Sequence, residues 1–182
     1  MHWHRSHRAD TRALPLADRH YSRQKVGSPQ FVPPGSCYVL LTERADALWT
    51  TSFPIADYVR HAWAGAWINT FFRNESEYLS SELIREAIAA TRDFYGEPPP
   101  LGIITFIDPT KVKKKRDFGR CYRRAGFRQA ICPNHMIKMD SCATCNGRTK
   151  GGLIALQMLP ASMPRAMPAM KVQGSLFNEE AA

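Results

Sequence analysis

The chain has 182 residues, and its 25 lysine and arginine residues outnumber its 16 aspartate and glutamate residues, giving a formal net charge of +9. This length suits one domain with a core of its own, and the charge favours an anionic partner such as nucleic acid. No apolar run is long enough to span a membrane, and the N-terminal segment lacks the apolar stretch of a secretory signal. We therefore expect a cytoplasmic protein. A basic protein without an anionic partner is the alternative.

The first part of the chain predicts a polar leader followed by a short helix. Residues 1–13 are rich in histidine and arginine, which predicts a flexible N-terminal leader. Residues 13–21 follow with leucines spaced for a helix that ends at His20 and Tyr21. These two aromatic side chains suit the wall of a pocket, although they equally suit an ordinary helix end.

Apolar patterning predicts a mixed sheet flanked by helices, an α/β (α+β) fold, over a domain at 14–159. The clearest helix is 80–95, where apolar residues recur at helical spacing and Gly96 follows as a stop signal. A shorter helix is expected at 118–125. The predicted strands are 37–42, 47–53, 67–72, 101–107, 127–131 and 151–159. Residues 160–182 are rich in proline, methionine and alanine, and we expect a disordered tail there.

The apolar strand at 101–107 is followed by Asp108 and Pro109. Open α/β sheets bind ligands beyond the carboxyl ends of their strands, so the Asp108 carboxylate is a candidate for binding or acid–base chemistry. An Asp-Pro pair at a strand end is also a common turn, and that interpretation stays open.

A dense cationic run follows this strand and continues into the next helix. Such a run suits contacts with DNA phosphates, which supply affinity without sequence recognition. A solvated loop is the alternative. The candidate nucleic-acid-binding residues are Lys111, Lys113, Lys114, Lys115, Arg116, Arg120, Arg123 and Arg124.

Three of the five cysteines lie in an insert at 132–145, between the last two predicted strands. Cys132, His135, Cys142 and Cys145 form two ligand pairs joined by a short link, and three cysteines with one histidine are a common set for structural zinc. The sequence therefore predicts a compact zinc knuckle. Free thiols in a loop are the alternative, because an odd cysteine count argues against a disulfide framework.

Several of these motifs together resemble a known family. The order of elements is similar to the N-acetyltransferase-like (GNAT) fold, whose glycine-rich pyrophosphate loop is here replaced by the glycine-free segment 73–81. In this departure the chain resembles the Mom-like phage proteins, GNAT-related enzymes that hypermodify adenine in DNA. The matching motifs are His20-Tyr21, Asn74-Glu75-Ser76-Glu77, Phe106-Ile107-Asp108-Pro109 and the helix Gly119–Phe127 with Tyr122.

The resemblance implies a transferase that adds a small acyl-derived group to the exocyclic amine of adenine in double-stranded DNA. It would protect phage DNA from restriction in the cytoplasm of a bacterial host. Asp108 would be the general base or adenine anchor, His20 would share the acid–base work, and Tyr21 or Tyr122 would stack on a flipped base or donate a proton. The donor, acyl-CoA or another small molecule, would be held by Arg73, Asn74, Glu75, Ser76, Ser80 and Ser81.

Two other functions remain open. One is an ordinary acyl-CoA-dependent N-acyltransferase acting on a small molecule or protein, against which the glycine-free loop argues. The other is a non-catalytic, zinc-containing module that binds nucleic acid.

A short motif near the C-terminus suggests a further partner. Gln173, Leu176 and Phe177 stand in the pattern by which many bacterial DNA enzymes bind the sliding clamp, where the two apolar side chains enter a pocket. The alternative is that Leu176 and Phe177 pack back on the domain.

We predict that the purified, reduced protein binds one zinc ion per chain and that Cys142→Ser lowers its zinc content, because a tetrahedral site needs all four ligands. Metal analysis of the protein measures this directly. Cys37→Ser, which changes a cysteine outside the insert, is the matched control and should keep the metal. A folded, reduced wild-type sample without metal would contradict the prediction.

Overall fold

A computed structural model of the chain describes residues 1–32, 35–55, 57, 59, 61–112, 117–132 and 152–171. This part of the chain contains seven strands and three α-helices, followed by a 3₁₀ turn at Pro160–Ser162. In order, the elements are β1 (Trp3–Ser6), α1 (Leu14–Asp18), β2 (Ser36–Thr42), β3 (Ala47–Phe53), β4 (Trp67–Asn74), α2 (Ser80–Tyr95), β5 (Ile103–Ile107), α3 (Arg120–Ala125), β6 (Arg128–Gln129) and β7 (Ile154–Met158).

The strands form one mixed sheet in the order β1-β2-β3-β4-β5-β7-β6. Neighbouring strands are antiparallel except for β4 and β5, which are parallel because α2 crosses back over the sheet between them. The parallel pairing ends at Asn69 opposite Thr105, although β4 continues to Asn74 and β5 to Ile107. The last residues of β4 and β5 therefore do not pair with each other.

Helix α2 forms because its apolar residues repeat on one face, and that face covers the sheet. Leu83, Ile84, Ala87 and Ile88 are fully buried against core residues of the strands. Gly96 follows the last residue of the helix, and its positive φ of 82° lets its backbone N–H donate to the Arg92 carbonyl. The expected mixed sheet and the helix at 80–95 are confirmed. None of the helices in the described part of the chain is long and apolar enough to cross a membrane.

The prediction of a flexible leader at 1–13 is wrong for its first half. Strand β1 pairs with β2 at the edge of the sheet, and Trp3 is fully buried with its indole N–H donating to the carbonyl of Leu83 at 2.8 Å. Composition suggested disorder because most residues there are polar. One buried tryptophan on an alternating strand nevertheless anchors the segment against α2.

The prediction of disorder from residue 160 onward is also wrong as far as residue 171. Met163 is buried in the main core, the Met167 amide donates to the Ala89 carbonyl, and the Met170 amide donates to the Trp3 carbonyl at 2.8 Å. The segment thus crosses α2 and reaches β1, where His4 and Met170 form a bridge. The predicted clamp motif at Gln173, Leu176 and Phe177 lies outside the described residues.

Gly102 allows β5 to begin close to β7, and replacing it should destabilise the fold. Its φ is +64°, and a Cβ there would lie 2.1 Å from the backbone oxygen of Met158. We expect Gly102→Ala to lower the free energy of unfolding by about 3 kcal/mol, the sum of left-handed strain and overpacking.

Gly27→Ala is the matched control, because Gly27 has a φ of +76° but open space around it. Gly27→Ala should lower the free energy of unfolding by about 1 kcal/mol, from the left-handed backbone strain alone. Urea unfolding of both variants measures the difference. Equal losses would show that the close approach of β5 to β7 does not constrain this position.

Candidate active site

A pocket of about 850 Å³ lies where β4 and β5 stop pairing. Three distant parts of the chain line it: the residues just after α1, the end of β4 with the start of α2, and helix α3 with the loop before it. The lining side chains are His20, Tyr21, Phe72, Arg73, Asn74, Leu79, Ser80, Ser81, Ile107, Val112, Asp117, Gly119, Arg120, Cys121, Tyr122 and Arg124.

His20 and Tyr21 cover the open ends of the two strands. The imidazole of His20 bonds to the Phe72 carbonyl on β4, and the Tyr21 hydroxyl donates to the Phe106 carbonyl on β5 at 3.4 Å. The two rings stack with their centroids 4.5 Å apart. The short helix α1 therefore places two aromatic side chains between carbonyl groups that lack a strand partner.

His20 is held as a neutral imidazole. Its Nδ1 accepts from the Ser22 amide at 3.2 Å and lies 2.8 Å from the Ser22 hydroxyl, so the ring proton is on Nε2. Burial, together with the positive charge of Arg73, lowers the pKa of His20 to about 4. A weakly basic imidazole of this kind stays uncharged at neutral pH and suits hydrogen bonding better than proton abstraction.

Tyr122 enters the pocket from α3 and is almost fully buried. Its hydroxyl donates to Oδ1 of Asn69 at 2.6 Å. Burial raises the pKa of Tyr122 well above its usual value of 10. Gly119 permits this approach, because with a φ of +78° it turns the chain into α3 against Ile107 and Leu156, where a Cβ would collide.

The glycine-free segment at 73–81 is ordered by the side chain of Asn74. Its Oδ1 accepts from the amide and hydroxyl of Ser76, while its Nδ2 donates to the Tyr78 carbonyl and to the Ser80 hydroxyl. Helix α2 then starts at Ser80 without a capping side chain. The amides of Ser80 and Ser81 thus lie in the first turn, without carbonyl partners, at the pocket wall.

Glu75 ties this segment to α1. Its carboxylate accepts from Arg19 at 2.9 and 2.6 Å and also from Arg73. These bonds, chiefly the one from Arg19, lower the pKa of Glu75 to about 2. Arg73 additionally donates to the Arg19 carbonyl at 2.6 Å. Glu75 and Arg73 therefore connect the two walls, which gives them a structural role in the site.

Asp108 lies outside the pocket lining. Its Oδ1 accepts from the amide and the hydroxyl of Thr110, at 3.0 and 2.6 Å, and its Oδ2 is 3.8 Å from the Lys111 ammonium. The bonds from Thr110 lower the pKa of Asp108, which makes it a weaker base. The geometry matches the turn interpretation of the Asp-Pro pair, and the proposed catalytic role of Asp108 stays a prediction.

The described members of the cationic run divide into two pairs. Lys111 and Arg123 are engaged by Asp108 and Asp117, with Arg123 only 2.5 Å from its partner. Arg120 and Arg124 are exposed at the pocket, and neither forms an ion pair within the described residues. These two guanidinium groups give the pocket mouth a positive charge that a bound anion can neutralise.

Sequence reasoning missed Asn69, Arg19 and Cys121. Cys121 lines the pocket beside Tyr21, and Asn69 is buried beneath Tyr122. An asparagine inside strand 67–72, which is apolar apart from Asn69 and Thr70, was the available signal for Asn69, since buried amides need specific partners. No local pattern marks Arg19, because its partner Glu75 is distant in sequence.

Several predicted residues fall outside the described part of the chain: Lys113, Lys114, Lys115, Arg116, His135, Cys142 and Cys145. Cys132 is described, and it is fully buried beside Trp63. Within the described ranges, no group of three or more potential ligands could hold a metal ion. The zinc prediction accordingly stays a prediction.

No protein-family model, curated protein or solved structure matches the chain. The interpretation of the site therefore depends on its geometry and on the motifs in the sequence. The geometry provides a partly polar pocket between two strand ends, with amide donors and arginines on its walls and two tyrosines and a neutral imidazole inside it.

We predict that His20 makes stability depend on pH between about 6.5 and 4. Its pKa is about 4 in the folded protein and near 6.5 in an unfolded chain, so the stability is fully present above pH 6.5 and is lost as the pH falls towards 4. His20→Gln should reduce this loss. Urea midpoints at pH 7.0, 5.5 and 4.5 measure it.

His7→Gln changes an exposed histidine and is the matched control, which should retain the wild-type pH dependence. Glu75 and Asp10, each with a pKa of about 2 in the folded protein, begin to lose their contributions as the pH falls to their unfolded values of 4.5 and 3.8, so the change between pH 7.0 and 5.5 belongs to histidine. A His20→Gln variant with the wild-type slope over this range would contradict the assignment.

Proposed function

We propose that the chain is a GNAT-like transferase of the Mom-like kind, which adds a small acyl-derived group to the exocyclic amine of adenine in DNA. The observation that carries the proposal is the pocket itself. It brings together His20-Tyr21, the glycine-free segment beginning at Arg73, and α3 with Tyr122. These are three of the four separated motifs on which the resemblance depends, and Ile107 of the fourth also lines the pocket.

The charge around the pocket supports an anionic substrate. The pocket contains exposed Arg120 and Arg124 and the first amides of α2, and the chain carries a net charge of +9. Arginine and helix N-terminal amides both bind phosphate well. DNA phosphates and a phosphorylated donor both suit such a surface, and a flipped adenine needs a pocket beside the duplex.

The transfer itself requires a balanced exchange of groups. The adenine amine forms a bond to the carbonyl carbon of the donor, the bond from that carbon to its leaving group breaks, and the amine loses one proton. A negative charge develops on the carbonyl oxygen, which amide N–H groups such as those of Ser80 and Ser81 can stabilise. Tyr21 and His20 line the same space and offer the side-chain hydrogen bonds that hold an amine.

Asp108 keeps a defined place in the proposal. Asp108 directly follows β5, and because both bonds from Thr110 go to Oδ1, Oδ2 would be the atom that accepts the amine proton. Asp108→Asn retains a side-chain oxygen for the Thr110 turn and removes the charge. This variant therefore separates a chemical role of the carboxylate from its structural role.

A second function, an acyl-CoA-dependent N-acyltransferase on a small molecule or protein, is favoured by one observation. The uncapped N-terminus of α2 faces the pocket, and such amides suit a pyrophosphate. Structural zinc in the insert at 132–145 and binding of the sliding clamp through residues 173–177 accompany the first proposal. Apart from Cys132, the residues that both proposals involve lie outside the described ranges.

Nucleoside mass spectrometry of DNA from bacterial cells that express the protein tests the proposed function. We expect a modified adenine in cells with the wild-type chain. Arg124→Ala should lower the modified fraction about tenfold, equivalent to about 1.4 kcal/mol. The variant lacks a guanidinium group that would bind phosphate at the pocket mouth. Arg128→Ala, an exposed arginine that does not line the pocket, is the matched control.

An unmodified adenine pool in cells that contain folded wild-type protein would contradict the function. Tight binding of acyl-CoA in calorimetry together with unmodified DNA would instead favour the second function. Asp108→Asn at the wild-type level of modification would remove Asp108 from the chemistry while leaving the pocket assignment in place.

A further inference from the structure

Asn69 is a buried side chain between the sheet and Tyr122. The register of β3 against β4 shifts between Thr50 and Thr51. At this irregularity the Asn69 Nδ2 donates to the carbonyl of Thr50 at 3.0 Å and to the carbonyl of Phe71 at 2.8 Å. The amide group thus joins two neighbouring strands where the regular pairing is interrupted.

These two bonds fix which way the Asn69 amide points. Turning it over would place its oxygen against two carbonyl oxygens, so the donor side stays on the sheet and Oδ1 faces α3. There it accepts from the Tyr122 hydroxyl at 2.6 Å and from the Thr105 hydroxyl at 3.3 Å. An amide oxygen has no proton to give, so the proton in the shorter bond belongs to Tyr122.

The Tyr122 hydroxyl proton is therefore already used inside the protein. Asn69, Thr105 and Tyr122 are all buried, and a buried acceptor that loses its main donor costs free energy. For Tyr122 to donate a proton into the pocket, Asn69 would keep only the longer bond from Thr105. Three aromatic side chains also surround Tyr122, since Phe72, Trp49 and Phe127 contact it and hold it in one orientation.

Tyr21 has a different environment. It is half-buried, and its hydroxyl donates only over a long distance, 3.4 Å to the Phe106 carbonyl at the end of β5, while the backbone amide of Asp108 donates to its oxygen. A bound group can replace so long a contact at little cost. The two tyrosines of the pocket thus differ in whether the hydroxyl proton is free to be exchanged.

We propose that Asn69 is a positioning residue, which holds Tyr122 through its hydroxyl proton so that Tyr122 shapes the pocket while Tyr21 exchanges hydrogen bonds with the substrate. The part that concerns Asn69 and Tyr122 depends on the structure alone. The part that concerns substrate rests on the proposed function. The experiment has one arm for each part.

The first arm observes the hydroxyl proton by NMR and needs no activity. The wild-type protein should show a slowly exchanging hydroxyl resonance with contacts to the Tyr122 ring protons, because the proton is buried and bonded. The resonance should vanish in Tyr122→Phe and in Asn69→Leu, and it should remain in Thr105→Val, which removes the Thr105 hydroxyl but keeps both partners of the bond from Tyr122 to Asn69. No such resonance in wild type, or its persistence in Asn69→Leu, would overturn the assignment.

The second arm measures the modified adenine fraction in cells. Tyr21→Phe should lower it at least tenfold. Tyr122→Phe and Asn69→Leu should each lower it by a similar, smaller factor, and the double variant should be no lower than either, since both act through one bond. If Tyr122→Phe alone abolishes modification while Asn69→Leu does not, Tyr122 is the proton donor and the proposal is overturned.

The two arms separate the failure of this inference from the failure of the proposed function. If wild-type protein leaves adenine unmodified, the function fails, and the hydroxyl resonance still decides the role of Asn69. Where Asn69→Leu does not fold, Tyr122→Phe and Thr105→Val suffice to assign the resonance in wild type. A resonance that then exchanges at the rate of an exposed hydroxyl would equally overturn the inference.

Discussion

The parting of β4 and β5 after Asn69 and Thr105 is the constraint on which the rest of the site depends. Two central strands that stop pairing leave carbonyl groups that need partners, and an unpaired buried carbonyl is costly. His20 and Tyr21 supply partners at Phe72 and Phe106, while Asn69 supplies one at Phe71 and another at Thr50, where the register of β3 against β4 shifts. The pocket is the space that these side chains enclose between the strand ends and α3.

Charge within the site is divided between structure and surface. The carboxylate of Glu75 pairs with both Arg19 and Arg73 and joins α1 to the β4–α2 segment, so these charges hold the walls together. Arg120 and Arg124 on α3 form no ion pair in the described part of the chain and face the pocket. The same helix thus supplies the pocket with a buried tyrosine and with exposed cations for a phosphate.

Local signals in the sequence predicted the elements that local chemistry decides. Helix α2 matches the expected span because its apolar spacing and Gly96 are both visible in one stretch. Strand β1 and the segment around Met170 were missed because each is ordered by contacts with distant residues, chiefly Trp3 with Leu83. In the site, the motifs indicated His20, Tyr21, Asn74 and Tyr122. Asn69 was missed because its partners come from β3, β5 and α3, which are distant in sequence. Sequence spacing also cannot show that Asp108 turns towards Thr110.

The most direct test of the central claim, that this pocket binds the substrate, is to map binding on the protein by NMR with a short adenine-containing DNA duplex. We predict that amide shifts concentrate at 20–21, 73–81 and 119–124, the three segments that line the pocket, and that they weaken as salt is raised. Shifts confined to other faces of the sheet, with these three segments unchanged at saturating DNA, would contradict the account.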